Sequence, residues 1–225
     1  MKEKFSPLFL LMAVTFIVCL VASNLFAAKL IHVFGLDLPG AVLVFPISYI
    51  LNDCICEVWG YRKARLVIWL AFAMNFFVVL FGQLLVWMPA APFWDGAEHF
   101  NYIFHLAPRI AMASLLAFLL GSWLNAAVLS KMKVASEGRL FGIRAIVSSL
   151  AGEGIDSLIF MPIAFWGLPV GTLATMMLCQ VTFKVVYEIL VLPLTARVVN
   201  WVKVRESVDT FDKNISYNPF KIADF

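Results

Sequence analysis

The chain has 225 residues, of which 63% are hydrophobic and only 14% charged, with a mean hydropathy of +0.93. A soluble domain is near half apolar and a quarter charged, so this composition excludes an ordinary water-soluble fold. The net charge of +3 points to no nucleic-acid partner, because it is segregated. Every lysine and arginine except Lys29, Arg109 and Lys184 falls near one end of the chain or in two stretches, 62–65 and 131–144.

In chain order, an uncharged run from Phe5 to Ala28 follows Lys2 and Lys4. It exceeds the roughly 7–15 residues of a signal-peptide core and can cross the bilayer, so it reads as a retained first span. GLDLPG (Gly35–Gly40) is a turn by composition. A second span runs from about Ala41 to Trp59 and stops at RKAR (Arg62–Arg65). The third starts at Leu66 and ends before PAAP (Pro89–Pro92). The loop from Pro89 to Ala107 carries Asp95, Glu98, His99 and His105 but no lysine or arginine. A fourth span covers Pro108 to about Leu129, with proline suited to the first turn. After the basic loop 131–144, the apolar stretch Ala145–Ala196 is too long for one crossing, and GLPVG (Gly167–Gly171) divides it into a fifth and a sixth span.

Every basic loop then lies on one side, which the positive-inside rule assigns to the cytoplasm. Trp59, Tyr61 and Trp201 fall at that interface, with Trp87, Trp94 and Trp166 at the other, as an aromatic belt requires. The expected fold is an all-α integral membrane protein, a six-transmembrane-helix bundle with both termini inside. Residues 1–202 would form the transmembrane transporter domain and 203–225 a polar cytoplasmic tail, ordered only in part.

Three of these spans carry charge where it is expensive: Asp53 and Glu57 in the second, Glu153 and Asp156 in the fifth, Lys184 and Glu188 in the sixth. Six such groups facing lipid would cost on the order of 15–20 kcal/mol, more than the stability of a typical domain. They must face inward. Their spacing agrees, because residues three or four apart share a helix face, and Gln180, Lys184 and Glu188 extend one such stripe. Asn24 and Asn75 are neutral candidates for the same interior. A salt-bridge staple, with Lys184 against Asp53 or Asp156, would explain a few of these charges. Five or more titratable groups exceed what a staple needs, which favours a binding cavity.

Pro46 before Asp53, and Gly152, Gly154 and Pro162 around Glu153 and Asp156, interrupt the second and fifth spans. Interrupted spans are the pattern around a transporter's midplane site. Arg109, in the first turn of the fourth span, either snorkels to headgroups or guards the cavity mouth; Lys29 reads as a headgroup contact. The cysteines (Cys19, Cys54, Cys56, Cys179) read as buried thiols. Cys54 and Cys56 point about 200° apart on a helix and cannot share a metal. No nucleotide-binding loop and no hydrolase or metalloprotease motif occurs, so neither an enzyme nor a cofactor is expected.

Five strings together carry a resemblance: ASNLFAAKL (Ala22–Leu30), FPISYILNDCICEVWGYRKAR (Phe45–Arg65), APRIAMASLLAFLLG (Ala107–Gly121), GEGIDSLIFMPIAFWG (Gly152–Gly167) and FKVVYEILVLPL (Phe183–Leu194). The set resembles the vitamin uptake transporter-like family, whose better-known members are bacterial queuosine precursor transporters. That resemblance implies a multi-pass inner-membrane importer of 7-deazaguanine bases, the nitrile (preQ0) and aminomethyl (preQ1) precursors of queuosine, salvaged for tRNA modification. It implies a fold similar to the substrate-binding components of energy-coupling-factor transporters, although the first span has no clear AxxxA pattern for docking a coupling partner. The family's polar motif residues fall on Asn24, Asp53, Arg109, Asp156 and Lys184, with Glu57, Glu153 and Gln180 as looser matches. Carboxylates suit the donor edge of a guanine-like base, and Lys184 or Gln180 its acceptor edge. Phe45, Tyr49, Phe160 or Phe183 could stack on the ring. The partners implied are the base and the lipid bilayer, and a homo-oligomer is left open.

Overall fold

Ser6 begins the first helix: its Oγ accepts a hydrogen bond from the Phe9 amide at 3.1 Å, and Pro7 follows where no amide hydrogen is needed. The structure is a computed structural model that describes residues 5–26, 29–33, 36–104, 108–164, 166–167 and 169–220. Helix α1 is Pro7–Phe26, 20 residues, about 30 Å at 1.5 Å per residue and so one bilayer thickness.

GLDLPG was expected as a turn, but Leu36–Pro39 forms a strand, β2, paired antiparallel with β1, Leu30–Val33. The register sets Leu30 against Pro39, leaving the proline at the end of the ladder, where its missing amide costs little. A 3-10 turn, Gly40–Leu43, follows. A side chain at Gly40 would approach the Phe26 carbonyl oxygen to 2.8 Å, so glycine is what lets the hairpin fold back on α1.

Helix α2, Phe45–Trp59, has 15 residues and a proline in its first turn. It is shorter than a full crossing, because the hairpin and 3-10 turn occupy the residues before it. It ends at Gly60, whose φ of +85° turns the chain directly into α3, Tyr61–Trp87. RKAR is therefore no loop. One left-handed glycine makes the corner, and the helix-favouring residues after it join the next helix.

A short helix inside the predicted loop, α4, is Ala97–Phe104. Helices α5, Pro108–Ala135, and α6, Phe141–Ala164, pack closely, while α7, Val170–Glu206, runs for 37 residues. The α5–α6 crossing is set by two glycines. A side chain at Gly121 would meet the Gly152 carbonyl oxygen at 2.9 Å, and one at Gly152 would meet that of Gly121 at 2.8 Å. Small residues at this point let the backbones touch. Among the described residues, five helices (α1, α3, and parts of α5, α6 and α7) are long and apolar enough to cross a membrane. The chain is a helical, multi-pass membrane protein. Its lipid-facing positions, such as Leu10, Val18, Phe77, Leu178 and Leu190, are exposed apolar side chains.

The described part of the tail, residues 207–220, is tied to the helices. Its Thr210 amide donates to the Val58 carbonyl at 3.0 Å, and Asp212 Oδ2 accepts from the Tyr61 amide at 2.7 Å, so a tail carboxylate caps α3. Arg65 Nη1 donates to the Asn218 carbonyl and Trp69 Nε1 to that of Pro219, at 2.7 and 2.8 Å. Tyr61 is 0% exposed under this strap and Trp59 is buried against Phe9. Neither belongs to an interfacial belt, whereas Trp166 (78%), Trp87 and Trp201 remain exposed. Among the cysteines, Cys54 and Cys56 are buried as expected, but Cys179 is exposed on the outward face of α7.

Candidate functional site

The charged stripes meet in two separate places. The first lies between α2, α6 and α7. Lys184 of α7 bonds Glu153 and reaches Asp156 at 3.3 Å, both on α6, and its ammonium lies 5.9 Å from the centre of the Tyr49 ring on α2. The spacing of 153 and 156 places both carboxyls toward one lysine, as residues three apart on a helix allow. Asp53 belongs to this cavity but not to that ion triad. It accepts from Asn125 Nδ2 of α5 at 2.7 Å. Of the two partners sequence reasoning offered Lys184, Asp156 is paired with it and Asp53 is not.

A cavity of about 30 Å³ opens between these groups, lined among others by Pro46, Tyr49, Asp53, Glu153, Lys184, Tyr187 and Glu188. That volume admits one or two waters. Small-molecule pockets are typically about 300–1,000 Å³, so a ligand the size of a bicyclic base enters only if α2, α6 and α7 separate. The conformation is closed around its charges.

The second cluster sits at the end of the bundle where Lys133, Arg144 and Lys203 converge. Glu57 is one helical turn from Asp53, about 6 Å along the axis, and that turn carries it out of the cavity. Arg144 grips it with a fork, Nη1 to Oε2 at 2.5 Å and Nη2 to Oε1 at 3.0 Å, and Lys203 adds a bond at 2.8 Å. Lys133 lies 3.8 Å from the same carboxylate and bonds the Glu57 carbonyl. Glu57 and Arg144 are each 1% exposed. Asp209 of the tail bridges Lys133 and Lys203 at 2.5 and 3.0 Å. Four helices and the tail are thus tied to one carboxylate.

The basic loop 131–144 reads as solvated in the sequence, yet Lys133 and Arg144 are buried. The sequence signal that could have found them is position: Arg144 lies within the first turn of α6 and Lys133 within the last of α5, beside the lone acid that ends α2. Asn125 had no signal beyond being a lone amide in an apolar helix. Asn24 lies apart from both clusters and bonds Ser114, joining α1 to α5 at 3.1 Å. Of the stacking candidates, Tyr49 lines the cavity, while Phe160 and Phe183 are not among its walls. The side chains of Arg109, Gln180 and Phe45 lie outside the described residues.

Burial works against ionisation of Asp209, but the Lys133 and Lys203 ammoniums outweigh it and hold the carboxyl below its ordinary range. A depressed carboxyl contributes stability that is complete above the ordinary value near 3.8 and lost as pH falls through the lower folded value. The tail should therefore loosen only in acid. Hydrogen exchange of residues 207–220 should rise below that value in the wild type, and the pH dependence should weaken in Asp209→Asn. Equal acid response in both would assign the effect to another group.

The polar groups of both clusters lie within residues 39–198, apart from Lys203 and the tail, and that segment matches the family described as "Putative vitamin uptake transporter". The chain belongs to this family. Within it, the chain is 28% identical over 151 residues to the "Probable queuosine precursor transporter" of Bacillus subtilis (strain 168), covering 66% of this chain and 65% of that protein. It is 25% identical over 148 residues to the "Queuosine precursor transporter" of Escherichia coli (strain K12), covering 66% and 64%. The chain spans just under two thirds of the length of these relatives. No solved structure matches it.

Proposed function

We propose that this chain imports queuosine precursors, the 7-deazaguanine bases preQ0 and preQ1, across the bacterial inner membrane for tRNA queuosine salvage. The observation that carries the reading is the Lys184–Glu153–Asp156 triad, whose two carboxylate residues are buried, beside a cavity between α2, α6 and α7 and inside the family match. A guanine-type base presents adjacent N–H donors and, on another edge, oxygen and nitrogen acceptors. Glu153 or Asp156 would accept from the donor edge, Lys184 would donate to the acceptor edge, and Tyr49 offers a ring to stack on. Asp53 stands across the cavity. Asn24, Arg109 and Gln180 complete the proposed set by family resemblance. Glu57, whose oxygens are held by Arg144 and Lys203, would act by holding the helices together at the basic end. Six spans, with α2 and its preceding hairpin as the short one, would place both termini and residues 203–225 in the cytoplasm.

The purified protein should be stabilised by both bases but not by biotin, riboflavin or thiamine. The gain should be about 2.7 kcal/mol at a hundred times the dissociation constant. In cells unable to make the bases, expressing this chain should restore queuosine in tRNA at low precursor concentration. If no 7-deazaguanine binds and another small nutrient passes both tests, the substrate assignment is wrong and the transporter reading survives.

A further inference from the structure

Among the described residues, the cavity holds more negative charge than its one cation can neutralise. Asp53, Glu153 and Glu188 line it, Asp156 shares Lys184 with Glu153, and Lys184 is the sole basic group at hydrogen-bonding distance of any of the four among the described residues. That lysine is committed to Glu153 and Asp156. Asp53 and Glu188, both cavity walls, have no ion pair among the described residues.

The groups facing this pair do not relieve it. Its own helices present Tyr49 and Glu57 from α2, and Lys184 and Tyr187 from α7; α6 adds Glu153 and Asp156, and α5 contributes the neutral Asn125. Glu57 is already neutralised at the basic end. A buried carboxylate without a cation takes up a proton in preference to remaining charged.

The hydrogen bonding is incomplete at the same place. Asn125 spends Nδ2 on Asp53, and its own Oδ1, fully buried, accepts nothing. Glu188 Oε1 is also buried without a partner. One proton on the pair supplies both the missing positive charge and a missing O–H donor. A metal ion is a poor alternative, because no group of three acidic, histidine or cysteine side chains among the described residues is arranged to hold one.

We infer that Asp53 and Glu188 form a proton-binding site beside the substrate cavity, and that the proton they take up from outside and release inside drives uptake. The step is a simple exchange: one carboxylate gains H⁺ as the cavity faces outward and returns it as the cavity faces inward. The inference rests on the transporter reading for its second half, while the proton site itself can be measured without any substrate.

Two measurements decide it. In the purified full chain at neutral pH, infrared spectroscopy should show a protonated-carboxyl band that shifts on transfer to deuterium oxide. That band should vanish in the double variant Asp53→Asn/Glu188→Gln. No such band, or one that survives the double variant, overturns the site. In proteoliposomes of the wild type, with the neutral nitrile base as probe, an outside-acid gradient of one pH unit should support up to about tenfold accumulation at one proton per substrate. A protonophore should abolish it. Substrate counterflow at equal pH serves as the control for transport. Counterflow without any response to the proton gradient, or accumulation driven by sodium instead, overturns proton coupling and leaves the proposed function intact. Absence of counterflow with every base overturns the proposed function, and the infrared band then decides the proton site alone.

Discussion

Glu57→Gln is expected to lower the unfolding free energy by about 3–5 kcal/mol, among the largest losses any single substitution can produce here. The reason is not the strength of the ion pair but what its loss leaves behind. Arg144 stays 1% exposed with its fork facing a neutral amide, and Lys133 and Lys203 converge on the same spot with only the half-exposed Asp209 to offset them. A buried cation without its partner costs several kcal/mol, whereas replacing both members by apolar groups of similar volume is often close to neutral. Thermal melting in detergent should therefore show a large loss for Glu57→Gln and substantial recovery for Glu57→Leu combined with Arg144→Met. A loss below about 1 kcal/mol would show that water reaches the cluster and screens it as it screens a surface pair.

Lys184→Ala should abolish binding and uptake of the base and, on its own, should also destabilise the fold by about 3–5 kcal/mol, because Glu153 and Asp156 lose the cation that bridges them. These two effects separate with one further variant. Adding Glu153→Gln and Asp156→Asn to Lys184→Ala removes the stranded charges and should restore most of the stability. If the triad binds substrate, uptake stays absent in this refolded triple variant. If uptake returns with stability, the triad is a staple between α6 and α7 and substrate is held elsewhere.

Much of this was legible in the sequence. The charges at 53, 57, 153, 156, 184 and 188 stand out because lipid makes them expensive, and their spacing places each set on one helix face. The corner between α2 and α3 was less legible. RKAR looks like a loop because it is basic, but Gly60 alone turns the chain, so the basic residues became the first turn of a helix. GLDLPG looks like a turn by composition, yet its middle pairs as a strand because a ladder is decided by a partner segment, Leu30–Val33, that composition of one segment cannot show. The tail looks polar and loose, and no local pattern announces that Asp212 caps α3 from 151 residues away.

The sequence by itself determined that the chain lives in a membrane and that its intramembrane charges turn inward. These follow from transfer energies and helical period, which are properties of single segments. Tertiary structure alone decided the partners. Whether Lys184 meets Asp156 or Asp53 depends on how far each helix is rotated and slid against its neighbour, and the Gly121–Gly152 contact sets that for α5 and α6. One turn of helix then separates Asp53, at the cavity, from Glu57, in the grip of Arg144. Two acids that the sequence places on one stripe end in different environments, because about 6 Å of axial rise is enough to pass from the cavity to the basic end of the bundle.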